Sequence, residues 1–493
     1  MTQAELAEFL SAADVYVTPY LKPEQITSGT LAYAVGSGKP VVSTPYWYAR
    51  ELLAEDRGIL VPWHDPAAIA REIIGLLCDD EKRQGYSTRA AAYGRDMVWP
   101  AVARRYVESF ERARTEHAAR RRSTFTAKTL ATRAPELPET NLEHVSLMTD
   151  STGLLQHATF NIPRFEDGYC VDDNARALLL TALLEDEGTD DHKLVRTLGA
   201  RYLAFVNYAF NPELKRFRNF MSYSRRWTED QGSEDSHGRA VWALGAVVGR
   251  SIDPGRRTLG GELFHAALPV VSSFTSPRAW AFTLLGIDEY LRAFQGDSSV
   301  QSMRRTLAER LLSLLDRTSQ ADWPWFEERV TYDSARLSQA LITSGAWMNN
   351  EDMLSAGLRS LEWLATIQRS DDGCFAPVGS NGFFRRGGPK AGFDQQPIEA
   401  CAMVSASLEA RRVTGDARWT EHARRAFGWF LGQNHLQQPL YEPATGGCRD
   451  GLHSDRANEN QGGESTLSFQ LALLEMRSLA RPSSVSLASV VAR

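Results

Sequence analysis

Cysteine is scarce in this 493-residue sequence, which contains only Cys78, Cys170, Cys374, Cys401 and Cys448. These residues are odd in number, far apart and never in C-x-x-C spacing, so they predict neither a disulfide framework nor a zinc site. The acids are also too dispersed to assign ligands. We therefore predict no bound metal.

The sequence also lacks an excess of positive charge and long apolar runs. Its net charge of -6 disfavours a nucleic-acid surface, which would carry a basic stripe. No apolar run reaches about 18 residues, and no N-terminal window has the pattern of a signal peptide. No G-x-x-x-x-G-K-[ST] motif is present, so the signal for phosphate binding is weak. We predict no cofactor. We expect a cytoplasmic protein that acts without membrane or nucleic acid, on a small or neutral partner.

Residues 1–115 alternate apolar runs with helical stretches. The runs "DVYVTPY", "KPVVSTPY" and "GILVPW" are continuously apolar and closed by turn residues, which is typical of parallel strands. The helix "DPAAIAREIIGLL" follows, with Asp65 as N-cap and Pro66 in its first turn. The pattern predicts a partial Rossmann-like α/β module.

A polar, Arg-rich stretch at 116–141 is predicted as a linker, and 481–493 as a tail. Between them, residues 142–480 contain six small-residue-rich helices that each open on a polar cluster, at Asp172, Ser236, Ser276, Tyr332, Gln396 and Gly463. Roughly 40 to 70 residues separate successive members, which is room for a loop and a second helix. Six such hairpins predict a mainly α fold, an (α/α)6 toroid. The six polar clusters would then line one funnel.

Both parts of the chain resemble known families. "SAADVYVTPY" and "GSGKPVVSTPYWYARELL" are similar to the nucleotide-sugar half of GT-B glycosyltransferases, and 142–480 resembles the toroid of inverting glycoside hydrolases and sugar epimerases. The GT-B pattern has two Glu residues eight positions apart before the "GKPVV" turn, where this sequence has Gln25 and Tyr33. The acceptor half would precede Met1. We therefore expect no sugar transfer by this module.

Carboxylates at the mouths of the six helices are the predicted catalytic groups. Glycoside hydrolysis needs one carboxyl that donates a proton and a second carboxylate that attacks or activates water. Glu464 or the Asp235 region is the candidate acid, and Asp172 or Asp173 the candidate base. Ser236 supplies an apparent cap for the second helix, which leaves Asp235 available.

Other polar and aromatic residues at the same mouths are predicted to bind sugar. Aromatic faces pack on the C–H patches of sugar rings, while carboxylates, amides and guanidinium groups bind hydroxyls. The predicted sugar-binding residues are Trp227, His237, Arg239, Arg278, Trp323, Trp325, Asp333, Arg336, Asp394, Gln395, Gln396, Glu399 and Asn460.

The sequence thus favours an inverting glycoside hydrolase that acts on an oligosaccharide or polysaccharide. The alternatives are a glycosyltransferase of the GT-B type, a sugar epimerase or isomerase that uses His157 or His237 for proton transfer, and a sugar-binding protein without catalysis. The sugar, its linkage, its anomer and the oligomeric state are not determined by the sequence.

Overall fold

The structure, a computed structural model, describes residues 2–25, 27–120, 137–188 and 191–480. The chain divides into two units, Met1–Ala134 and Pro135–Arg493. Most of the predicted linker and the whole predicted tail lie outside the described residues. The last helix of the first unit continues to Arg120, past the predicted boundary at residue 115. The exact domain limits stay predictions.

The first unit is a small α/β layer. Its elements are α1 (Gln3–Ala12), β1 (Tyr16–Thr18), α2 (Gly29–Gly36), β2 (Val41–Ser43), α3 (Trp47–Leu52), β3 (Ile59–Leu60), α4 (Pro66–Cys78), α5 (Asp80–Gly94) and α6 (Trp99–Arg120). The strands are parallel in the order β1-β2-β3, with Val42 paired to both Val17 and Ile59. Asp65 caps α4 by accepting from the Ala68 N–H at 2.8 Å. The three parallel strands and this cap confirm the sequence prediction.

The second unit is built from helices joined by short hairpins. Its helices are α7 (Glu143–Leu147), α8 (Val171–Glu187), α9 (His192–Ala209), α10 (Glu234–Arg250), α11 (Pro254–Ala267), α12 (Pro277–Ala293), α13 (Ser298–Thr318), α14 (Ala335–Met348), α15 (Glu351–Ile367), α16 (Pro397–Thr414), α17 (Arg418–Phe430) and α18 (Gly463–Ala480). The antiparallel pairs are β4 (Ala158–Thr159) with β5 (Ile162–Pro163), β6 (Tyr169–Cys170) with β9 (Phe220–Met221), β7 (Phe210–Asn211) with β8 (Arg216–Phe217), β10 (Arg329–Val330) with β11 (Phe384–Arg385), β12 (Tyr441–Glu442) with β13 (Gly447–Cys448), and β14 (Gly451–Leu452) with β15 (Ala457–Asn458).

Six of these helices close into an inner ring. Helices α8, α10, α12, α14, α16 and α18 pack each on the next, and α18 packs on α8. Helices α9, α11, α13, α15 and α17 pack outside the first five, and the short α7 lies against α18. The (α/α)6 toroid predicted from the six small-residue helices is therefore confirmed.

Small residues allow the inner helices to approach closely, because a side chain would hold the two backbones apart. An ideal Cβ on Gly245 of α10 would lie 2.0 Å from the carbonyl oxygen of Gly286 in α12. On Gly286 it would lie 2.7 Å from Trp242 Cα. Glycine at these positions is thus a packing requirement, which outweighs its low helix propensity.

One predicted cap is wrong. Helix α10 begins at Glu234, and its N-cap is Ser233, whose hydroxyl accepts from the Ser236 N–H at 3.0 Å. Ser236 therefore lies in the first turn. The two hydroxyls near the start of α18 bind elsewhere, since Ser465 donates to Asp450 and Thr466 accepts from the Cys448 N–H.

No helix within the described ranges is long and apolar enough to cross a membrane.

Candidate functional site

Side chains from outside each helix satisfy several of the N-terminal amides of the inner ring. The Asn219 side chain accepts from the first two N–H groups of α8 at 3.1 and 3.2 Å. Glu234 of α10 accepts from two N–H groups just before α12. Glu399 of α16 does the same just before α14. Since the first amides of α8 are bonded to Asn219, Asp172 in that turn is left for other contacts.

Three acids occupy the same helical position. Asp172, Asp235 and Glu464 are each the second residue of their helix, in α8, α10 and α18. These helices are consecutive in the ring, so the acids lie together on the N-terminal face of the toroid, and the helix dipoles favour negative charge there. The side chains of Asp172 and Glu464 are 25% and 42% exposed. Three of the four predicted catalytic residues thus share one face and one register.

Arg176 joins two of the four acids. Its Nη1 lies 2.8 Å from Asp173 Oδ1, and its Nη2 lies 2.7 Å from Glu464 Oε2. Both Arg176 and Asp173 are buried. Burial raises the pKa of Asp173 to about 6, although the guanidinium opposes that shift. Asp173 therefore faces Arg176 inside the protein, whereas Glu464 reaches solvent.

Arg239 makes the next link around the ring. Its Nε donates to Asp172 Oδ1 at 3.0 Å and its Nη1 to Asp333 Oδ2 at 3.1 Å. Arg336 Nε lies 3.4 Å from the other oxygen of Asp333. The Asn219 amide donates to Asp172 Oδ2 at 3.1 Å. Asp172 is thereby held by one guanidinium and one amide.

Asp235 accepts from two hydroxyls. Ser276 Oγ donates to one oxygen and Tyr332 Oη to the other. Arg278 Nε donates to the Tyr332 carbonyl at 2.7 Å, and its Nη2 donates to Glu327 at 2.8 Å. These contacts connect α10, α12 and the segment before α14.

Glu399 of α16 contacts the Asp333 member of this network. It is buried and accepts from the backbone N–H of Asp333, whose φ of 49° places it in the left-handed region. Burial and the nearby Asp333 charge together raise the pKa of Glu399 to about 8.

The loop before α18 supplies the remaining polar groups. His453 Nδ1 lies 2.7 Å from Asp394 Oδ1, in a partly exposed pair. Asp450 accepts from the Gly462 N–H at 2.7 Å, and burial raises the pKa of that carboxyl. Asn460 accepts from the Phe160 N–H at 2.9 Å. Asp394 and Asn460 shortly precede α16 and α18, so they lie on the N-terminal face of the toroid.

The predicted aromatic residues pack on outer helices instead. Trp323 and Trp325 are buried and contact Trp363 of α15. Trp227 packs on Phe205 and on Tyr208 of α9. Aromatic residues near a helix mouth can point to either layer, and sequence position alone does not distinguish them.

Two of the predicted sugar-binding residues, His237 and Gln395, are buried and form hydrogen bonds within the protein. His237 Nδ1 accepts from the Phe217 N–H at 3.3 Å, and its Nε2 lies 3.0 Å from the Ala267 carbonyl. Burial lowers the pKa of His237 to about 3, so it is neutral at physiological pH. Gln395 is buried and accepts from Trp429 Nε1 at 2.8 Å. Gln396 is the residue before α16 and makes no side-chain cap.

Several members of this network were not among the predicted catalytic and sugar-binding residues, namely Arg176, Asn219, Ser276, Glu327, Tyr332 and Asp450, although Ser276 and Tyr332 were predicted to open two of the polar clusters. Arg176 had a detectable signal, because α8 and α10 both carry an acid and, four residues later, an arginine. Asn219, Glu327 and Asp450 lie in loops, and no periodicity marks them.

Two surface cavities lie away from this network. One of about 790 Å³ is lined by α9 and α11, and one of about 530 Å³ lies beside α7. Neither is lined by the acids at second helical positions. We assign the candidate site to the N-terminal face because acids and arginines from all six inner helices converge there.

Comparisons with known proteins bear on the two units separately. Residues 1–79 match the family model described as glycosyl transferases group 1. Phosphatidyl-myo-inositol mannosyltransferase of Mycolicibacterium smegmatis is 34% identical over 109 residues, which is 22% of this chain and 28% of that protein. The Mycobacterium leprae protein of the same name is 32% identical over 110 residues, which is 22% of this chain and 29% of that protein. The chain spans less than a third of these curated relatives.

The second unit is similar to solved toroids. A sugar epimerase from a ruminal bacterium has a TM-score of 0.53 at 11% identity, covering 69% of this chain and 97% of that one. Cellobiose 2-epimerase from Bacillus thermoamylovorans B4167 has a TM-score of 0.53 at 11% identity, covering 68% of this chain and 96% of that one. A D-mannose isomerase has a TM-score of 0.52 at 11% identity, covering 68% of this chain and 95% of that one. Such low identity shows the fold alone.

The class of protein is therefore an (α/α)6 toroid preceded by an α/β module that is similar over residues 1–79 to group 1 glycosyl transferases, which confirms the predicted two-part architecture. Both parts are similar to proteins whose names denote carbohydrate-active enzymes.

Proposed function

We propose that this chain is a carbohydrate-active enzyme whose toroid hydrolyses a glycosidic bond with inversion, in an oligosaccharide or polysaccharide. The observation that carries the proposal is the equivalent placement of Asp172, Asp235 and Glu464 on three consecutive inner helices. In an inverting hydrolase one carboxyl protonates the leaving oxygen, and a second carboxylate activates water on the opposite face of the sugar.

Glu464 is the proposed general acid. Its side chain is more exposed than those of Asp172 and Asp173, and Arg176 contacts one of its oxygens, Oε2. A proton donor must reach the leaving oxygen directly, which an exposed side chain at a helix mouth can do. Asp235 is the second candidate for this role, because two hydroxyls orient it from α12 and the segment before α14.

Asp172 is the proposed base. Arg239 and Asn219 hold its two oxygens, and its side chain is partly exposed. Donors of this kind orient a carboxylate for water activation. Asp173 is buried against Arg176, so we assign it a positioning role toward Glu464 rather than contact with substrate.

Substitution of single acids tests the roles. The recombinant chain is screened against a panel of oligosaccharides, and NMR identifies the anomer released first. We expect Glu464→Gln and Asp172→Asn to lower turnover by at least about 100-fold with sugar binding retained. Glu309→Gln, an exposed position on α13, is the matched control and keeps full activity. Wild-type turnover in both acid variants would refute the proposal, and retention of the anomer would refute inversion.

Glycosyl transfer is the second candidate, and the match of residues 1–79 to group 1 glycosyltransferases favours it. Gln25 and Tyr33 stand where the GT-B pattern has Glu. Isothermal titration of the full chain with GDP-mannose and UDP-glucose separates the two functions. Binding of either, with sugar transfer that survives Glu464→Gln, would favour the transferase.

Epimerisation or isomerisation is the third candidate. It needs a side chain that moves a proton on a free sugar. Both nitrogens of His237 are engaged, whereas His157 is exposed. Conversion of a free sugar that depends on His157 but not on Glu464 would select this function.

A further inference from the structure

Four exposed aromatic rings surround the start of α8. Phe160, Phe165, Phe220 and Tyr223 are between 45 and 61% exposed. They lie in the β4–β5 turn, in the segment that follows β5, in β9 and just after β9, all at the N-terminal end of the toroid. Clustered exposed apolar side chains are uncommon on soluble proteins unless they bind something. We call these four residues the aromatic platform.

Phe160 is held beside the proposed acid. Its N–H donates to Asn460 Oδ1 at 2.9 Å, and its carbonyl accepts from the Gln461 N–H at 2.8 Å. Asn460 and Gln461 directly precede α18, whose second residue is Glu464. The φ of Phe160 is 54°, which its position at the tip of the turn requires. The turn therefore presents this ring at one edge of the candidate site.

Phe220 is held beside the proposed base. It pairs with Cys170 in the β6–β9 ladder, and Met221 on the opposite side of the strand is buried. Strand alternation therefore turns Phe220 outward. Its neighbour Asn219 donates to Asp172 at 3.1 Å. Each of these two rings thus lies in a segment that is bonded to the candidate site, Phe160 through Asn460 and Gln461 and Phe220 through its neighbour Asn219.

The other two rings are already ordered. Phe165 and Tyr223 stack with centroids 4.6 Å apart and an interplanar angle of 12°. Tyr223 also lies parallel to Tyr169, which is buried and donates to Asp150 at 2.6 Å. A surface whose rings are fixed before binding loses little conformational entropy when a ligand packs on it.

We infer that the aromatic platform binds the sugar units of a saccharide chain that extend beyond those held at the catalytic carboxyls. This inference rests on the proposed function and deepens it, because it makes the substrate of the toroid a chain rather than a monosaccharide or disaccharide. Pyranose rings present flat C–H faces that pack on exposed aromatic rings. The platform is joined to the candidate site by the hydrogen bonds of Phe160 with Asn460 and Gln461 and of Asn219 with Asp172.

Chain-length dependence tests the inference. Binding of manno-, cello- and malto-oligosaccharides, from disaccharide to hexasaccharide, is measured by calorimetric titration. The full chain carries Glu464→Gln in all of these titrations, so that the oligosaccharide is not hydrolysed while its binding is measured. We expect Phe160→Ala and Phe165→Ala each to raise the Kd of the hexasaccharide by about tenfold and to leave that of the disaccharide unchanged. Phe294→Ala, a half-exposed ring at the opposite end of α12, is the control and changes neither.

The outcomes separate the two proposals. Equal effects on all chain lengths, or none, overturn the platform whatever the catalytic result. Full activity of Glu464→Gln overturns the proposed hydrolase, while the length-dependent loss would still support the platform. Absence of binding by every oligosaccharide overturns both. Concentration-dependent self-association that Phe160→Ala abolishes would identify a protein interface and overturn the platform.

Discussion

Replacement of Glu399 by Gln should change how the stability of the toroid depends on pH. Glu399 is buried in the first turn of α16 and accepts from backbone N–H groups at the start of α14. Burial raises its pKa from 4.5 to about 8, so it is neutral in the folded protein at pH 7 and ionised in the unfolded chain. The stability that it contributes is present below about pH 4.5 and is lost as the pH rises through 8.

The expected magnitude follows from that shift. At about 1.36 kcal/mol per pKa unit, a change from 4.5 to about 8 corresponds to about 5 kcal/mol. Gln cannot ionise, and its carbonyl can still accept from the Asp333 N–H. The free energy of unfolding of the wild type, minus that of Glu399→Gln, should therefore fall by about 5 kcal/mol between acidic and mildly alkaline pH.

Urea denaturation followed by tryptophan fluorescence, at a series of pH values, measures this difference. Comparison of the two chains cancels the titration of all other groups. Glu309→Gln, on the exposed side of α13, is the control and should give a constant difference. A constant difference for Glu399→Gln would refute the reasoning, because the two N–H donors would then outweigh burial and keep the carboxylate ionised.

Three further substitutions test the packing, a helix cap and the ionic network. Gly245→Ala places a Cβ 2.0 Å from the Gly286 carbonyl and should lower the stability of the toroid by about 1–3 kcal/mol in urea denaturation. Asp65→Ala removes the cap of α4 and should cost about 1 kcal/mol in thermal denaturation of the first unit. Arg239→Met leaves Asp333 buried without its closest cation and should cost about 3–5 kcal/mol in urea denaturation.

Each of these substitutions has a matched control. Gly261→Ala on α11 meets only Val248, at 3.8 Å, and should be tolerated. Asp65→Asn keeps a capping oxygen and should retain stability. Arg257→Met removes an exposed arginine and should have little effect. If a control variant loses as much stability as its test variant, the contact named for that test variant is not the cause of the loss.

Much of the architecture could be read from local patterns. Continuous apolar runs predicted the three parallel strands, and Asp65 with Pro66 predicted the start of α4. Small-residue helices with polar mouths predicted the inner ring, because a helix packed on both sides needs small side chains and a helix N-terminus favours polar groups.

What the sequence determined by itself, then, was the set of helices and the face on which their polar ends gather. Only the tertiary structure decided the partners there, since Arg239 and Asp333 are 94 residues apart and meet through closure of the ring. It also decided that His237 and Trp325 are buried and that Glu399 bonds backbone N–H groups just before a helix other than its own. Periodicity reports which side of a helix is buried, but a contact between helices depends on how all six pack together.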